Sequence, residues 1–269
     1  MTVIVATARG KSWLAEVLEY REFLVNLVKR DLKVRYRNSI LGFIWSLLNP
    51  LLMMVVFSIV FSVLSAGAPV QNYPIFILVA LLPWNFTSAS VSGAVNAIVG
   101  NGHLIKRVYF PREILPASLV ISNLINLLLA LPVLFLLKLV LGSAFSEYVL
   151  LLPLVLLLQT IFLLGVALLL SSVNVYFRDT EVIVDVFILA WFFLSPVVYN
   201  MEQLAPDFAQ FLYWVNPMAS LLSSYRLILY NNAPPDVLFM LRTTVTCLAT
   251  FVIGYLVFRR LAPNFGEEV

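Results

Sequence analysis

The chain has 269 residues, 62% of them apolar and 12% charged, with a formal net charge of +3 and a mean hydropathy of +0.98. Soluble domains carry roughly a quarter charged residues, so this composition excludes a soluble enzyme or binding module and implies a polytopic membrane protein. The basic balance then reports on membrane orientation rather than on nucleic acid, and the lone Cys247 excludes an intramolecular disulfide.

Residues 1–39 hold several charges and no apolar core of the signal-peptide kind. Within them, Leu14, Val17, Leu18, Leu24, Leu27 and Val28 recur at helical spacing, and Ser12 with Glu16 suits a helix start. This predicts an amphipathic helix over 12–37 lying on the membrane surface. A surface anchor is the plainer role; docking of a cytoplasmic protein is the sharper one. The basic run Lys29, Arg30, Lys33, Arg35 and Arg37 leads without a spacer into the first apolar segment.

Six segments are long enough to span a bilayer, at about 40–65, 73–99, 114–141, 148–175, 180–200 and 237–258. The apolar stretch 211–230 is broken at Asn216-Pro217 and carries Arg226. Counting it as a span would place Arg259 and Arg260 outside. The segment 66–72 has no charge, and 142–147 has only Glu147, with Lys138 near the preceding helix end. Six spans with both termini in the cytoplasm put nearly all Lys and Arg inside. Residues 201–235 then become a re-entrant or interfacial element on the outer side, and 261–269 a cytoplasmic tail.

The cytoplasmic loop "GNGHLIKRVYFPRE" (100–113) starts at Gly100 and Gly102, ends near Pro111, and holds a turn or two of helix with Leu104, Ile105, Val108, Tyr109 and Phe110. So apolar a loop suits insertion into a groove of another protein, with Leu104, Val108 and Phe110 buried against that partner and Lys106 or Arg107 pairing with its acids. Ser88, Ser92 and Asn96 form one polar stripe, and Ser118, Ser122 and Asn126 another. Helix packing is their plainer role and a polar path the alternative. Glu181 and Asp185 share a face at the start of span five, where an ion-pair network with Arg178 is the plainer reading. Trp45, Trp84, Tyr199, Tyr213 and Trp214 fit an interfacial aromatic belt. Phe57, Phe61, Trp191, Phe192 and Phe193 lie deeper, where packing competes with a channel lining.

Catalytic signals are missing. His103 and Cys247 are too far apart in the chain to argue a metal cluster, and no G-x-x-x-x-G-K-[ST] phosphate loop exists. If nucleotide powers this protein, another chain binds it. A membrane glycosyltransferase would want carboxylates at a membrane face, where Glu181 and Asp185 are the inner-side pair.

The motifs "RDLKVRYRNSILGFIWSLLNPLL", "KRVYFPREILP", "VYFRDTEVIVDVFILAWFFLSPVVY" and "WVNPMASLLSSYR" together resemble the membrane subunit of type-2 ABC exporters for polysaccharides and polyol phosphates, over about residues 15–260. That family includes O-antigen, capsule and teichoic-acid exporters. The resemblance implies an all-α fold of six transmembrane helices, an N-terminal interface helix (1–39), a transmembrane domain (40–260) and short re-entrant helices before the last span. It implies a homodimer in the bacterial cytoplasmic (inner) membrane, paired with two ABC ATPase subunits that hold ATP and Mg²⁺, with no cofactor on this chain. By the same resemblance, the interface helix with Arg30, Lys33 and Arg35 lies beside the ATPase. The coupling helix over 100–110 presents Leu104, Lys106, Arg107, Val108, Tyr109 and Phe110 to it.

Spans one and five of both copies would face a channel for a polymer on an undecaprenyl lipid. Aromatic rings can slide along the C–H faces of sugars, so the expected lining is Phe57, Phe61, Trp191, Phe192 and Tyr199. A type-2 exporter of a drug or other lipid-like small molecule is the nearest alternative.

Overall fold

The computed structural model describes residues 19–36, 44–64, 71–201 and 206–269. The α-helices among them are α1 (Arg21–Tyr36), α2 (Ile44–Leu64), α3 (Tyr73–Val95), α4 (Gly102–Arg107), α5 (Ile114–Val140), α6 (Leu152–Tyr176), α7 (Thr180–Leu194), α8 (Pro206–Val215), α9 (Pro217–Leu229), α10 (Val237–Leu261) and α11 (Phe265–Glu268), with short 3-10 turns at Val99–Asn101, Glu147–Leu151 and Ala262–Asn264. The expected helix start at Ser12 and Glu16, the apolar Leu14, Val17 and Leu18, and Arg37 lie outside the described residues.

All six expected segments are helical over most of their length. Among the described residues, four helices are long and apolar enough to cross a membrane: α3, α5, α6 with the turn before it, and α10 with the tail. The apolar stretch Leu47–Phe61 of α2 is shorter. α7 has 15 residues, or about 22 Å, and ends at Leu194 rather than near 200. Pro196 explains the early stop. Proline has no N–H to continue the ladder and pushes the preceding residue out of helical geometry, and Ser195 is extended at φ −101°, ψ 126°.

The break at Asn216-Pro217 is real. Asn216 caps α9, its side chain accepting hydrogen bonds from the backbone N–H of Met218 (3.0 Å) and Ala219 (3.4 Å), with Pro217 in the first helical turn. At 13 residues, α9 is about 20 Å long, too short for a full crossing.

α3 is the axis of the bundle. Its run Ile75–Trp84 is buried at every position, with α2, α5, α6, α7 and α9 around it. A buried polar link fixes three of these helices. Gln159 of α6 donates to the Pro83 carbonyl (2.9 Å) and to Thr87 Oγ1 (3.0 Å) of α3, and accepts from the Tyr225 hydroxyl of α9 (2.7 Å). In an apolar surrounding such a satisfied amide sets register, because any slip would strand it. α6 and α10 meet without intervening side chains. A Cβ on Gly254 would stand 2.0 Å from the Gly165 carbonyl oxygen, and one on Gly165 would stand 2.5 Å from Phe251 Cα.

A second apolar cluster closes the end of the bundle that bears α4. Leu27 of α1, Ile98, Phe110, Phe258 of α10 and Phe265 of α11 are buried there together.

Candidate functional site

At the α4 end, α1 and the loop 96–113 form one unit. Arg30 Nη1 donates to Asn101 Oδ1 (3.1 Å), and Asn101 Nδ2 donates to the Ala97 carbonyl (2.9 Å). Arg30 also pairs with Asp31 (2.9 Å), and Ser118 of α5 donates to Asp31 Oδ2 (3.4 Å). The tail reaches the same unit: Arg112 donates to the Ala262 carbonyl and lies over the Phe265 ring (5.8 Å). Val269 fills the space beside Gly102, where a Cβ would meet its Cγ1 at 2.3 Å.

The expected partner-contact residues divide. Lys33, Arg35, Lys106, Arg107 and Val108 are exposed, and Tyr109 is 86% exposed. Arg30 is exposed but engaged with its own subunit. Leu104 is half-buried against the α4-end cluster. Phe110 corrects the expectation that it would be buried against a partner. It is 5% exposed, covered by its own subunit, with its ring 4.9 Å from that of Phe23 in α1. The reason is local. α4 stops at Arg107 and Val108 is extended (φ −129°, ψ 134°), so successive side chains alternate: Tyr109 points out and Phe110 in. A cavity of about 240 Å³ lies beside this segment, lined by Ile105–Phe110 and Arg112.

The aromatic residues of α2 and α7 form a seam. Phe57 stacks on Phe192 (6.1 Å between centroids), and Phe192 meets Trp84 of α3 edge-on (5.5 Å). Phe61 stacks on Tyr73 (5.6 Å), whose hydroxyl donates to the Val198 carbonyl (2.7 Å). Phe57, Phe61 and Phe192 are all half-buried. Tyr199 is half-buried too, its hydroxyl donating to the Phe193 carbonyl. Trp191 sits elsewhere. It is 8% exposed, edge-on to Trp84 (5.9 Å) and Phe162 (6.1 Å), and its indole N–H donates to Asn216 Oδ1 (2.9 Å). One residue along a helix is about 100° of rotation, which turns Trp191 into the subunit while Phe192 meets α2.

Glu181 accepts a hydrogen bond from Asn96 Nδ2 (2.7 Å), not an ion pair from Arg178, and Asn174 Nδ2 donates to Asn96 Oδ1 (3.2 Å). Ser88, Ser92 and Asn126 border a separate polar cavity between α1, α2, α3 and α5. Sequence reasoning passed over Asn123, Gln159 and the side-chain role of Asn216. Their common signal was a single amide inside an apolar run. Among the described residues, no group of three His, Cys, Asp or Glu could hold a metal ion.

With this geometry in place, comparison with known proteins decides the family. The profile of the ABC-2 type transporter family matches residues 22–230. The chain belongs to that family. This ABC-2 chain is 38% identical over 259 residues to the O-antigen export system permease protein RfbA of Myxococcus xanthus, covering 94% of this chain and 98% of that one. It is 31% identical over 247 residues to the RfbA of Klebsiella pneumoniae, covering 91% and 94%. To the polysialic acid transport protein KpsM of Escherichia coli the ABC-2 chain is 23% identical over 206 residues, covering 74% and 78%.

Proposed function

We propose that this ABC-2 chain is the membrane permease subunit of an ATP-driven exporter that moves a lipid-linked polysaccharide, of the O-antigen or capsule kind, across the bacterial cytoplasmic membrane. The observation that carries the reading is the near end-to-end similarity to an O-antigen export permease, 38% over 94% of the chain. The chain hydrolyses nothing itself. A separate ATPase binds ATP and Mg²⁺ and docks on the α4 end, which offers a partner the exposed Lys106, Arg107, Val108 and Tyr109.

Two copies of the chain work together in this reading. Its support is the exposed apolar face of α7, including Val182, Ile183, Val186 and Leu189, and that of α2, including Val55, Val56 and Ile59. Phe57, Phe61, Phe192 and Tyr199 line the path of the glycan, and Trp191 holds α7 in place behind them. α2 and α7, the latter carried on by the chain to residue 200, complete six crossings, both termini are cytoplasmic, and α8–α9 form the re-entrant element on the outer side.

Deleting the gene tests the function. Surface polysaccharide is expected to vanish while lipid-linked polymer accumulates inside, with the plasmid-borne chain restoring export. Unchanged surface polysaccharide in the deletion strain would refute the reading. Orientation is tested with an impermeant thiol reagent. Cys247 is fully buried and leaves the background silent. A cysteine replacing Ala144 is expected to react in intact spheroplasts, and one replacing Arg259 only after lysis. Labelling of the second from outside would overturn the six-crossing topology.

A further inference from the structure

The polar stripe Ser118, Ser122 and Asn126 divides in the structure. Ser118 and Ser122 donate to carbonyls of their own helix, those of Leu115 (2.9 Å) and Ser118 (2.7 Å). Asn126 joins Ser88 and Ser92 of the other stripe in lining a cavity of about 610 Å³, within the roughly 300–1,000 Å³ range of small-molecule sites. Asn123 lines the same cavity. It is 2% exposed, and neither its Nδ2 nor its Oδ1 has a hydrogen-bond partner in the chain. It lies about 13 Å along α5 from Ile114, deep in the half of the bundle nearest α4. An unmet amide at that depth is costly, so the cavity is built for something polar.

The chemistry of that occupant can be read from the walls. Asn123 offers a donor and an acceptor together. A phosphate oxygen can meet only the donor and an acyl chain neither, whereas a sugar hydroxyl meets both. Asn49 and Asn85 add the same two-way capacity, and Ser88, whose hydroxyl donates to the Asn85 carbonyl (3.3 Å), adds an acceptor. Trp45 borders the space with a ring surface suited to the C–H face of a sugar. Among the described lining residues Arg35 is the one charged group, with no carboxylate beside it there, which suits an anionic linkage next to the sugar.

We propose that this cavity binds the first sugar of a glycan joined through phosphate to a lipid, taken from the membrane leaflet on the α4 side before the polymer enters the α2–α7 seam. The proposal rests on the polysaccharide-export reading and names the substrate's point of recognition.

The test uses the full chain in lipid nanodiscs, with binding read by native mass spectrometry. The probes are an isoprenyl diphosphate carrying one hexose, the same isoprenyl diphosphate without sugar, and the free hexose. The sugar-bearing lipid is expected to bind at least tenfold more tightly than either control. Equal binding of the sugarless lipid would overturn the sugar assignment, and equal binding of the free hexose would overturn the lipid-linked one. Asn123→Leu is expected to weaken the sugar-bearing probe at least tenfold. Ser92→Trp, at the exposed rim, fills the cavity without touching the core and carries the same test should Asn123→Leu fail to fold. Wild-type affinity in the folded variants means that the cavity merely holds water and overturns the site. If the deletion strain loses surface polymer but both variants bind normally, this site falls and the export function stands. If the deletion strain keeps its polymer, both fall.

Discussion

The two ends of the bundle use the same cationic side chains in opposite ways. At the α4 end, Lys33, Arg35, Lys106, Arg107, Arg259 and Arg260 are exposed. At the α9 end, Lys138 is fully buried and Arg226 is 8% exposed. Lys138 Nζ donates to the Leu229 carbonyl at the last turn of α9 (2.6 Å), a favourable place for a cation, and lies over the Phe145 ring (4.8 Å). Arg226 donates to the carbonyls of Val197 (2.7 Å) and Tyr199 (3.3 Å), and its guanidinium lies 3.9 Å from the Phe76 ring centroid. The backbone after α7 is irregular, so its carbonyls have no helical partners, and in a membrane they must find donors within the protein. Buried cations here hold the backbone together. Exposed ones leave their charge for a lipid surface or a second protein. A positive residue in a membrane sequence therefore has no single meaning; the carbonyls around it decide.

Removing Arg226 tests the buried side of this contrast and carries the largest expected effect. Arg226→Met strands two carbonyls that now accept charge-assisted bonds, each worth roughly 1.5–3 kcal/mol. A loss of about 4 kcal/mol is expected, read as a sharp fall in thermal stability in detergent, with Arg226→Lys retaining part of it. Unchanged stability of the methionine variant would show that those carbonyls are satisfied some other way.

The adjacent pair Phe110 and Tyr109 sharpens the comparison within one segment. Phe110→Ala leaves a hole in the α4-end cluster and is expected to cost about 3 kcal/mol of stability. Tyr109→Ala is expected to leave thermal stability within about 0.5 kcal/mol. It should weaken co-purification of the ATPase by about 2 kcal/mol, or roughly thirtyfold. A reversal of the two phenotypes would undo the assignment of inward and outward faces. The smallest effect belongs to Lys106→Gln with Arg107→Gln. Stability should not move, while ATPase association becomes weaker and less sensitive to salt.

Much of this organisation was legible in the residues. Long apolar runs bounded by charge placed the helices, and the Asn216-Pro217 dipeptide placed the break, because those signals act locally. The misplacements were local too. α7 stops before Pro196 rather than at residue 200, and the helix in the 100–113 loop ends at Arg107, which turns Phe110 inward. What the sequence could not reveal depends on neighbours. Gln159 bonds to residues of two other helices, so nothing in "VLLLQTIFLL" (155–164) marks which helices it joins. Phe57 meets Phe192 only because α2 and α7 come to lie side by side. Trp191 and Phe192 are neighbours in sequence with unlike surroundings, a difference set by helix rotation against α3. The burial of Lys138, known from the sequence only as a charge near a helix end, comes from the packing of the α9 terminus over it.

The close passage of Gly165 and Gly254 has a mechanical consequence. Two rods whose backbones touch cannot slide or roll past each other without collision, and close-packed interiors transmit such displacement rather than absorbing it. α10 is gripped at its lower end by Arg112 on the Ala262 carbonyl, and the tail beyond it rests on Gly102 of α4. A displacement of α4 would therefore meet α6 and α10 as one stiff two-helix unit. α7 is buried at only Thr180, Val184 and Trp191. Set beside the α6–α10 pair, it is the more weakly held wall of the bundle.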